Sequence, residues 1–462
     1  MNEQTPIAQC NPDGPGVVQE TLRADRVAPA RTLLETSVDP TLGTADIPRE
    51  RYFSQAFHDL EVEKVWKKVW QMACWGQDIP EAGDTIVYDI AGISILVVRQ
   101  QDGSLKAFRN SCLHRGRALL ECSAHVNRLR CPFHAWTWNL DGSVQTIPGK
   151  WDFPQMDEAK MNLVPVRLEE WNGFAFINLD DAAPPLSEFL GGMPAQWTEW
   201  DLTGRYKALH AVKHMKANWK VVLEAFIESY HVDASHPQQS PFSAAEQTQY
   251  DTWEGEPHFS RAITLMGLTS TGSPAIRMDL SEQERVRRYV TAYLNQAREE
   301  LEQPTGQVQD GESAREVMTR LFAKAVGDQL GVNLEDSSPT DIIDGVWYYV
   351  FPNFEPWPTL GYPLFYRFRP YGNNPEESLM DIMILSPFEG ERPKSAPIIA
   401  FGPDEPLEPK LGTLGMIIDQ DVAHMAAMQK GLKSCERGLV LAEYQESRIR
   451  HYHRTLTNYI NA

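Results

Sequence analysis

The sequence predicts an α+β protein in which a small all-β domain is inserted before a larger domain of mixed helices and strands. Between residues 81 and 180, short β-branched and aromatic runs are separated by turn signals such as Gly92 and Asp102-Gly103, which is typical of antiparallel hairpins. After residue 181, strand-like runs alternate with segments of helical periodicity. A chain of 462 residues is long enough for two or three such domains.

The individual elements follow this division. Residues 1–48, rich in Pro, Thr and Asp, predict an irregular arm, and residues 49–80 predict a helical part of the larger domain because apolar residues recur at helical spacing over 53–70. In the small domain, 81–180, we predict strands at 85–88, 93–99, 105–108 and 174–179. In the larger domain, 181–462, we predict strands at 208–213, 346–351, 364–369 and 378–385, and helices at 218–231, 281–302, 313–330, 418–433 and 440–452.

Composition and charge argue against several classes of protein. Acidic residues outnumber Lys and Arg by 63 to 43, and the net charge of −20 argues against a nucleic-acid partner. No apolar run reaches the length of a membrane span, the N-terminus lacks a signal-peptide pattern, and six Cys are few for a disulfide-stabilised secreted protein. We therefore expect a cytoplasmic protein without a membrane segment.

Two short motifs carry the most specific information. Cys112-Leu113-His114 is followed, after sixteen residues, by Cys131-Pro132-Phe133-His134. A zinc finger places its two Cys in one loop and its two His in another, whereas here each motif mixes one thiolate with one imidazole. Two such loops can hold a [2Fe–2S] cluster with two Cys on one iron and two His on the other, the Rieske arrangement.

A basic island surrounds these motifs in an otherwise acidic chain. Between residues 104 and 134 six basic residues accompany a single acid, Glu121. The basic residues are Lys106, Arg109, Arg115, Arg117, Arg128 and Arg130. The island fits a docking patch for an acidic electron donor. The alternative is that these side chains bond to the surroundings of the cluster or to a neighbouring subunit.

A second metal site is indicated between residues 224 and 237. On the predicted helix, Glu224, Glu228 and His231 share one face, and polar groups buried there need partners. Pro237 disfavours helical conformation at His236, so the helix should end between the two His and let His236 turn back. Two His with one carboxylate form the facial triad of non-haem Fe(II) oxygenases.

The carboxylate of this triad must come from another part of the chain. Asp419 and Asp421 open the helix predicted at 418–433. Both are candidates for the third ligand. The alternative role for each is to cap the helix N-terminus, where the helix dipole favours an anion.

Together these residues resemble the oxygenase (α) subunit of Rieske non-haem iron oxygenases, the aromatic-ring-hydroxylating dioxygenase superfamily. The matching stretches are Cys112-Leu113-His114-Arg115-Gly116, Cys131-Pro132-Phe133-His134-Ala135-Trp136, Asn218-Trp219-Lys220 leading to Tyr230-His231 and His236, and Asp421 leading to Gln429-Lys430-Gly431-Leu432. The resemblance implies a catalytic domain of the helix-grip (START-like) type, with a central antiparallel sheet. It also implies ligands to the cluster (Cys112, His114, Cys131, His134) and to a mononuclear Fe(II) (His231, His236, Asp421).

The resemblance further implies a homotrimer in which Glu228 links the cluster of one subunit to the iron of the next. Electrons would come from NAD(P)H through a separate flavin reductase or ferredoxin, and O₂ and a small organic substrate would react at the iron. The bridging acid is usually Asp, and some members that oxidise quaternary-ammonium substrates carry Glu. Two further departures are Ala225 in place of a common Asn and Ala135 in place of the usual Gly.

The expected activity is therefore that of a terminal oxygenase acting on an organic, aromatic substrate. Dioxygenation, monooxygenation and demethylation all use the same ligands, and a small β subunit in an α3β3 assembly stays open beside an α3 trimer. Candidates for the pocket lining are Phe226, Trp347, Tyr348, Tyr349, Phe351, Trp357 and Phe365. Residues 281–330 either cover the pocket entrance or form a surface insertion. The alternative class is a Rieske-type electron carrier, which needs neither the long C-terminal region nor the His231/His236 pair.

Overall fold

The computed structural model describes residues 16–270, 280–361 and 363–462. The chain divides into two compact units, each with most of its contacts inside itself. The first unit comprises residues 1–54, 190–368 and 375–458. The second unit comprises residues 55–189, 369–374 and 459–462. The α+β class with one all-β part is confirmed. The segment 49–80, which we expected to belong to the larger domain, is divided between the two units after residue 54.

The second unit is built on antiparallel strands. Among the described residues its main sheet has seven strands, in the spatial order Gln71–Trp75, Phe174–Asn178, Pro165–Trp171, Leu105–Arg109, Ile93–Arg99, Asp84–Ile90 and Ala124–His125. A smaller sheet contains Leu129–Arg130, Thr137–Trp138 and Val144–Thr146. The first strand, missed from the sequence, is fully buried and pairs with Phe174–Asn178, which explains why residues after 54 belong to this unit.

The first unit is built on an eight-stranded sheet in the described part of the chain. The spatial order is Gln249–Asp251, Phe259–Thr264, Gly345–Val350, Phe354–Pro356, Leu364–Tyr371, Asn374–Pro387, Arg205–Met215 and Ile398–Phe401. The paired strands are antiparallel except for the last two, which run parallel. The predicted strands of this domain are present; three are longer than expected, and the strand predicted at 346–351 lies one residue earlier, at Gly345–Val350.

The α-helices are Gly16–Ala24, Gln55–Glu61, Leu186–Leu190, Met193–Gln196, Trp219–Glu224, Val232–Ser235, Glu282–Tyr293, Ala314–Leu330, Pro339–Ile342, Glu408–Leu432 and Ser447–Asn461. Val62–Trp66 is a π-helical turn. Short 3₁₀ turns lie at Arg31–Leu34, Arg49–Tyr52, Gly76–Asp78, Lys150–Asp152, Glu158–Lys160, Ala245–Gln247, Asn295–Glu302 and Pro304–Gly306. Ala314–Leu330 has the clearest local signals, because Ser313 and Glu316 form a capping box and Gly331 ends the helix with a left-handed φ of 70°. No helix among the residues described is long and apolar enough to cross a membrane.

The helix predicted at 218–231 is much shorter. It starts where expected, since the Asn218 side chain accepts a hydrogen bond from the Lys220 N–H, but it ends at Glu224. Beyond it the backbone N–H of Ser229 donates to the Tyr250 hydroxyl, and that of His231 donates to its neighbour Glu228. Side-chain oxygens therefore accept hydrogen bonds from backbone N–H groups that would donate to backbone carbonyls in a longer helix.

Four other expectations were also wrong in their bounds. The helix predicted at 281–302 ends at Tyr293, and Asn295–Glu302 is a 3₁₀ turn. The helix predicted at 418–433 lies within Glu408–Leu432, which is interrupted at Gly412 by non-helical backbone (φ 58°, ψ −137°). The part before residue 418 was missed because Gly412 and Gly415 lower the helix propensity of that stretch. The helix predicted at 440–452 starts only at Ser447, since the Glu446 carboxylate holds the Ala442 N–H at 2.6 Å in a non-helical loop. The helix predicted at 53–70 ends in the π-turn before Lys67.

The predicted irregular arm contains a helix, Gly16–Ala24. Its Val18 and Leu22, four residues apart, are both buried. Two apolar residues are too few to make this short helix stand out in a sequence. Residues 1–15 of the arm lie outside the described residues.

Candidate metal centres and substrate cavity

The two Cys/His motifs lie on two loops of the second unit, one after the Leu105–Arg109 strand and the other in a turn of the three-stranded sheet. The thiols of Cys112 and Cys131 are close enough for each to shift the pKa of the other. The Nδ1 atoms of His114 and His134 are 3.2 Å apart. The loops thus pair Cys with Cys and His with His, which fits a cluster that has two Cys on one iron and two His on the other.

Both loops close with the same backbone hydrogen bond. The Gly116 N–H donates to the Cys112 carbonyl at 2.8 Å, and the Ala135 N–H donates to the Cys131 carbonyl at 3.0 Å. Gly116 and Ala135 both adopt left-handed backbone, with φ of 76° and 61°. That conformation costs an L-residue about 1–2 kcal/mol, whereas Gly adopts it without this cost. The rest of the loop must therefore hold Ala135 in a backbone conformation that is locally unfavourable.

The surroundings make the two sides of this site different. Cys112 and Cys131 are buried, whereas His134 is exposed. Burial raises the pKa of the Cys112 thiol; it acts in the same sense on Cys131, but backbone N–H groups at Phe133 and His134 lower the pKa of that thiol. The imidazole side is therefore the side that solvent or a partner can reach.

Side chains of the basic island differ in their surroundings, and Arg109 is half-buried. Arg117 bonds locally, donating to the Ala118 carbonyl and, at 2.7 Å, to the carboxylate of Glu121. This matches the alternative in which the basic residues serve the loop itself. The exposed residues are Lys106, Arg115, Arg128 and Arg130. These four are the ones that a docking patch could use.

The second set of predicted ligands comes together in the first unit. Ligand atoms of His231, His236 and Asp421 all lie within 4.8 Å of one another. Asp421 Oδ1 is 2.9 Å from His236 Nε2 and 3.5 Å from His231 Nε2. The short helix Val232–Ser235 starts just after His231 and ends just before His236, so it brings the two imidazoles to one place, as the Pro237 argument required.

Electrostatics at this site favour a cation. Burial would lower the pKa of His231, but the carboxylates of Glu228 and Asp421 raise it to about 10. Burial would raise the pKa of Asp421, but the two imidazoles lower it. A pocket that stabilises positive charge so strongly suits a divalent metal, and its donor set of two imidazoles and one carboxylate is that of Fe(II) oxygenase sites.

Each imidazole of this site is oriented by a second hydrogen bond. His231 Nδ1–H donates to Glu228 Oε1 at 2.5 Å, and His236 Nδ1–H donates to Gln420 Oε1 at 2.7 Å. Gln238 also donates to Gln420 Oε1, at 2.8 Å. Because both Nδ1 atoms are occupied, both Nε2 atoms are directed to the metal position. Gln420 was missed from the sequence, where its only signal is its place beside Asp421.

Asp419 and Asp421 have different roles. The Asp419 carboxylate accepts hydrogen bonds from the backbone N–H groups of Leu407 (2.9 and 2.8 Å) and Glu408 (3.0 Å). Two residues along a helix correspond to about 200° of rotation, so Asp421 lies on the opposite face, toward the His pair. The capping alternative therefore applies to Asp419.

All three residues of the second site line one wall of a cavity of about 340 Å³. Its aromatic lining residues are Phe226, Tyr293, Trp347, Trp357 and Tyr366. Three of these were predicted. Of the other predicted aromatics, Tyr348, Tyr349, Phe351 and Phe365 are buried but do not line the cavity. Tyr293 and Tyr366 were missed, because their positions depend on how distant elements pack.

Two tryptophans form a flat, fixed part of the cavity wall. The rings of Trp347 and Trp357 stack at 4.6 Å with an interplanar angle of 9°. The Trp347 indole N–H donates to the Phe226 carbonyl (3.1 Å), and the Trp357 N–H donates to Glu355 (3.0 Å). The Arg448 guanidinium lies over the Trp347 ring, 5.3 Å from its centroid. These contacts hold both rings in place.

Comparison with known proteins extends these observations. The family described as "Ring hydroxylating alpha subunit (catalytic domain)" matches residues 201–462, and the "Rieske [2Fe-2S] domain" matches residues 69–157. The carnitine monooxygenase oxygenase subunit of Escherichia coli (strain K12) is 35% identical over 194 residues, 41% of this chain and 52% of that protein. Choline monooxygenase of Beta vulgaris is 29% identical over 241 residues, 50% of this chain and 53% of that protein. The chain thus spans about half the length of the curated relatives it matches.

Solved structures share the fold. A quaternary ammonium Rieske monooxygenase superposes with a TM-score of 0.63 at 19% identity, covering 92% of this chain and 100% of that one. A naphthalene 1,2-dioxygenase variant superposes with a TM-score of 0.62 at 18% identity, covering 91% and 93%. The family implies a Rieske cluster and a mononuclear iron, for which the residues described above provide suitable donors. The chain belongs to the ring-hydroxylating oxygenase alpha subunits, with a Rieske [2Fe–2S] domain ahead of the catalytic domain.

Proposed function

We propose that this chain is the terminal oxygenase of a multicomponent system that uses O₂ and externally supplied electrons to hydroxylate an organic substrate. The observation that carries the proposal is that His231, His236 and Asp421 converge on the wall of a largely apolar cavity. A site built only to bind metal or to carry electrons has no need for such a cavity. An oxygenase needs one, because the substrate must lie beside the metal.

In this proposal Cys112, His114, Cys131 and His134 hold the cluster. His231, His236 and Asp421 hold the iron. When bound, the cluster supplies single electrons and the iron, with open coordination positions, supplies O₂ activation. The protein orients the iron ligands through Glu228 and Gln420, and its apolar walls limit the access of water.

Glu228 is proposed as the acid that links the two metal centres across a subunit interface. Its carboxylate is bound to His231 Nδ1, and its side chain is 9% exposed. One similar structure is described in terms of inter-subunit electron transfer. We accordingly propose a homotrimer supplied by a ferredoxin or flavin reductase that docks at the exposed part of the basic island.

The cavity is suited to a substrate with a flat or methyl-rich apolar group. Its walls combine five aromatic rings with the carboxylates of Glu228 and Asp421, and the described lining residues include no Lys or Arg. Aromatic faces bind arenes by stacking and methylated ammonium groups by cation–π attraction. The second possibility is favoured by the relatives, which are named for carnitine, glycine betaine and choline oxidation.

The proposal is tested by metal content with a matched pair of variants. Anaerobically purified protein should contain about three irons and two acid-labile sulfides per chain, with a Rieske-type EPR signal after dithionite reduction. Asp421→Asn should lose one iron and keep both sulfides. Asp419→Asn, whose carboxylate only caps backbone N–H groups, should keep all three irons. Equal iron loss in both variants would refute the assignment of the third ligand, and absence of sulfide would refute the whole proposal.

An electron carrier without oxygenase activity is the competing class. It would show the cluster signal and two irons with two sulfides, and addition of Fe(II) would restore neither a third iron nor oxygen uptake. Substrate-dependent oxygen uptake with a reductase, tested with indole, choline and carnitine, separates the two classes.

A further inference from the structure

Two cavities of the first unit share part of their walls. The cavity beside the proposed metal site measures about 340 Å³, and a second cavity of about 780 Å³ lies between the helices Glu282–Tyr293 and Glu408–Leu432. We call the first the inner chamber and the second the outer chamber. Tyr293, Thr413 and Ile417 line both chambers. These three residues, which we call the partition, therefore lie between the two chambers.

The outer chamber lies at the protein surface, whereas the inner chamber is enclosed. Pro237, Arg287, Thr291 and Thr413, which line the outer chamber, are exposed. Among the described lining residues of the inner chamber, only Thr413 is exposed, and Thr413 belongs to the partition. A molecule that reaches the inner chamber through the outer one must therefore pass the partition.

Tyr293 is the largest side chain of the partition, and the protein core holds it in place. Its ring packs edge-on against Phe242, with centroids 5.6 Å apart, and lies 5.5 Å from the Tyr289 ring. Phe242 and Tyr289 are both fully buried in one apolar core. Because a packed core leaves little free space, the Tyr293 ring cannot move back to enlarge the inner chamber. This position favours a cavity wall over a surface insertion as the role of residues 281–330.

The opposite side of the partition lies on the helix that carries the proposed iron ligand. Thr413 and Ile417 follow the break in this helix at Gly412. Thr413, Ile417 and Asp421 are spaced four residues apart, so they share one face of the helix, and all three line the inner chamber. At the rise of an α-helix, the two partition residues lie about 12 Å and 6 Å along the axis from Asp421. A ligand beside Asp421 therefore has roughly this length before it meets the partition.

We propose that Tyr293, with Thr413 and Ile417 opposite it, sets the longest molecule that the inner chamber accepts. Molecules that fit between Asp421 and the partition bury their apolar surface in the inner chamber. Longer molecules meet the Tyr293 ring, and the outer chamber is only the way in. An inner chamber of about 340 Å³ is at the small end of the range of ligand pockets, roughly 300–1,000 Å³. The inference rests on the proposed function only in taking the inner chamber as the substrate site.

The test measures binding along a series of uncharged ligands of increasing length. ω-Phenylalkanols with one to eight methylenes are titrated into the holoprotein by calorimetry. In the wild type, each methylene that is buried in the inner chamber should tighten binding about fourfold. The increase should stop at the length that fills the inner chamber. We call this length the break.

Variants of Tyr293 locate the cause of the break. Tyr293→Ala should move the break to longer ligands, because the chain can then continue into the outer chamber. Tyr293→Phe keeps the ring and should keep the wild-type break. Tyr293→Leu retains an apolar contact with Phe242 and Tyr289, so it should fold even if Tyr293→Ala does not, and its break should lie between those of the wild type and Tyr293→Ala.

Leu414→Ala is the matched control. Leu414 lines the inner chamber but not the outer one, so its truncation enlarges the inner chamber and leaves the partition closed. Its break should shift less than that of Tyr293→Ala. The proposal is overturned if the Tyr293→Ala and Tyr293→Leu breaks stay at the wild-type length, or if Leu414→Ala shifts the break as far as Tyr293→Ala. A wild-type series that tightens steadily to eight methylenes would overturn it too. If no phenylalkanol binds, the inner chamber is not an apolar site, and the proposed function loses its basis as well.

Discussion

Gln420 provides the sharpest prediction about the mononuclear site, because it touches a proposed iron ligand without being one. Its Oε1 atom accepts the Nδ1–H of His236 at 2.7 Å and is itself held by Gln238 at 2.8 Å. His236 is 2% exposed, so water does not readily replace the lost acceptor. Gln420→Ala should leave the imidazole free to rotate and its Nδ1–H without a partner.

The size of the effect follows from this one hydrogen bond. Removing a residue that orients a metal-bound His typically lowers metal affinity about 10–100-fold, which corresponds to about 1.4–2.7 kcal/mol. Gln420→Glu should restore affinity, since a carboxylate accepts the same N–H and raises the basicity of the imidazole. Gln238→Ala should have a smaller effect than Gln420→Ala, because it removes only the support for the acceptor.

The assay is an Fe(II) competition titration with a colorimetric chelator, carried out anaerobically on protein with its cluster intact. Acid-labile sulfide serves as the internal control, because the cluster loops are not altered. Gln420 does not orient a metal ligand if Gln420→Ala holds Fe(II) as tightly as the wild type while Asp421→Asn does not. This role is also refuted if Gln420→Ala loses sulfide in parallel with iron, since that would indicate general unfolding.

Two further predictions concern buried carboxylates. Glu228→Ala should keep all three irons but lose nearly all substrate-dependent oxygen uptake with a reductase; full activity would contradict its role as the bridge. The Glu224 carboxyl is hydrogen-bonded to Tyr52 and His453, and burial raises its pKa from 4.5 to about 8. The folded state therefore favours the protonated carboxyl. The contribution of Glu224 to the free energy of unfolding is complete below pH 4.5 and is lost as the pH rises to 8. Glu224→Gln does not titrate and should gain about 1 kcal/mol per pH unit relative to the wild type between pH 5 and 8, measured by thermal unfolding; a constant difference across that range would exclude a raised pKa.

The arrangement of the proposed cluster ligands could be predicted from the sequence for a local reason. Its four proposed ligands lie within 23 residues, from Cys112 to His134, on two loops of similar construction. Residue type and spacing then determine most of the geometry. What the sequence did not indicate was that Ala135 adopts the left-handed conformation of the corresponding Gly116, because a propensity argument assigns that conformation to Gly.

The residues of the proposed mononuclear site could be predicted from the sequence, but the backbone conformation that brings them together could not. Pro237 correctly indicated that the helix could not continue through His236. The expectation that Glu224, Glu228 and His231 share a helix face was wrong, since the helix ends at Glu224. The cause is tertiary: the hydroxyl of Tyr250, a residue on another strand, takes the N–H of Ser229, and no local pattern reports that contact.

Residues that act through distant packing could not have been found from one sequence. Gln420 and Tyr293 are examples, because each becomes significant only when the Glu408–Leu432 helix lies beside residues from the middle of the chain. The aromatic strand around Trp347 illustrates the same limit. Trp347, Tyr348 and Tyr349 are consecutive buried aromatic residues of one strand, and all three were candidates for the pocket lining. Only the packed structure separates Trp347, which lines the cavity, from the other two.

The two proposed metal sites present opposite nitrogens of their imidazoles, and this difference suits their proposed roles. His114 and His134 bring their Nδ1 atoms together, so the Nε2 atom is left on the outer side of each ring, and His134 is exposed. His231 instead presents Nε2 to the site and has its Nδ1 bound to Glu228. The outward Nε2–H of a cluster imidazole can donate a hydrogen bond. The carboxylate behind the imidazole of the proposed iron site can accept it. In the proposed homotrimer one carboxylate joins the two kinds of site, and this is why Glu228, although it binds neither metal in our proposal, is the residue on which turnover should depend most strongly.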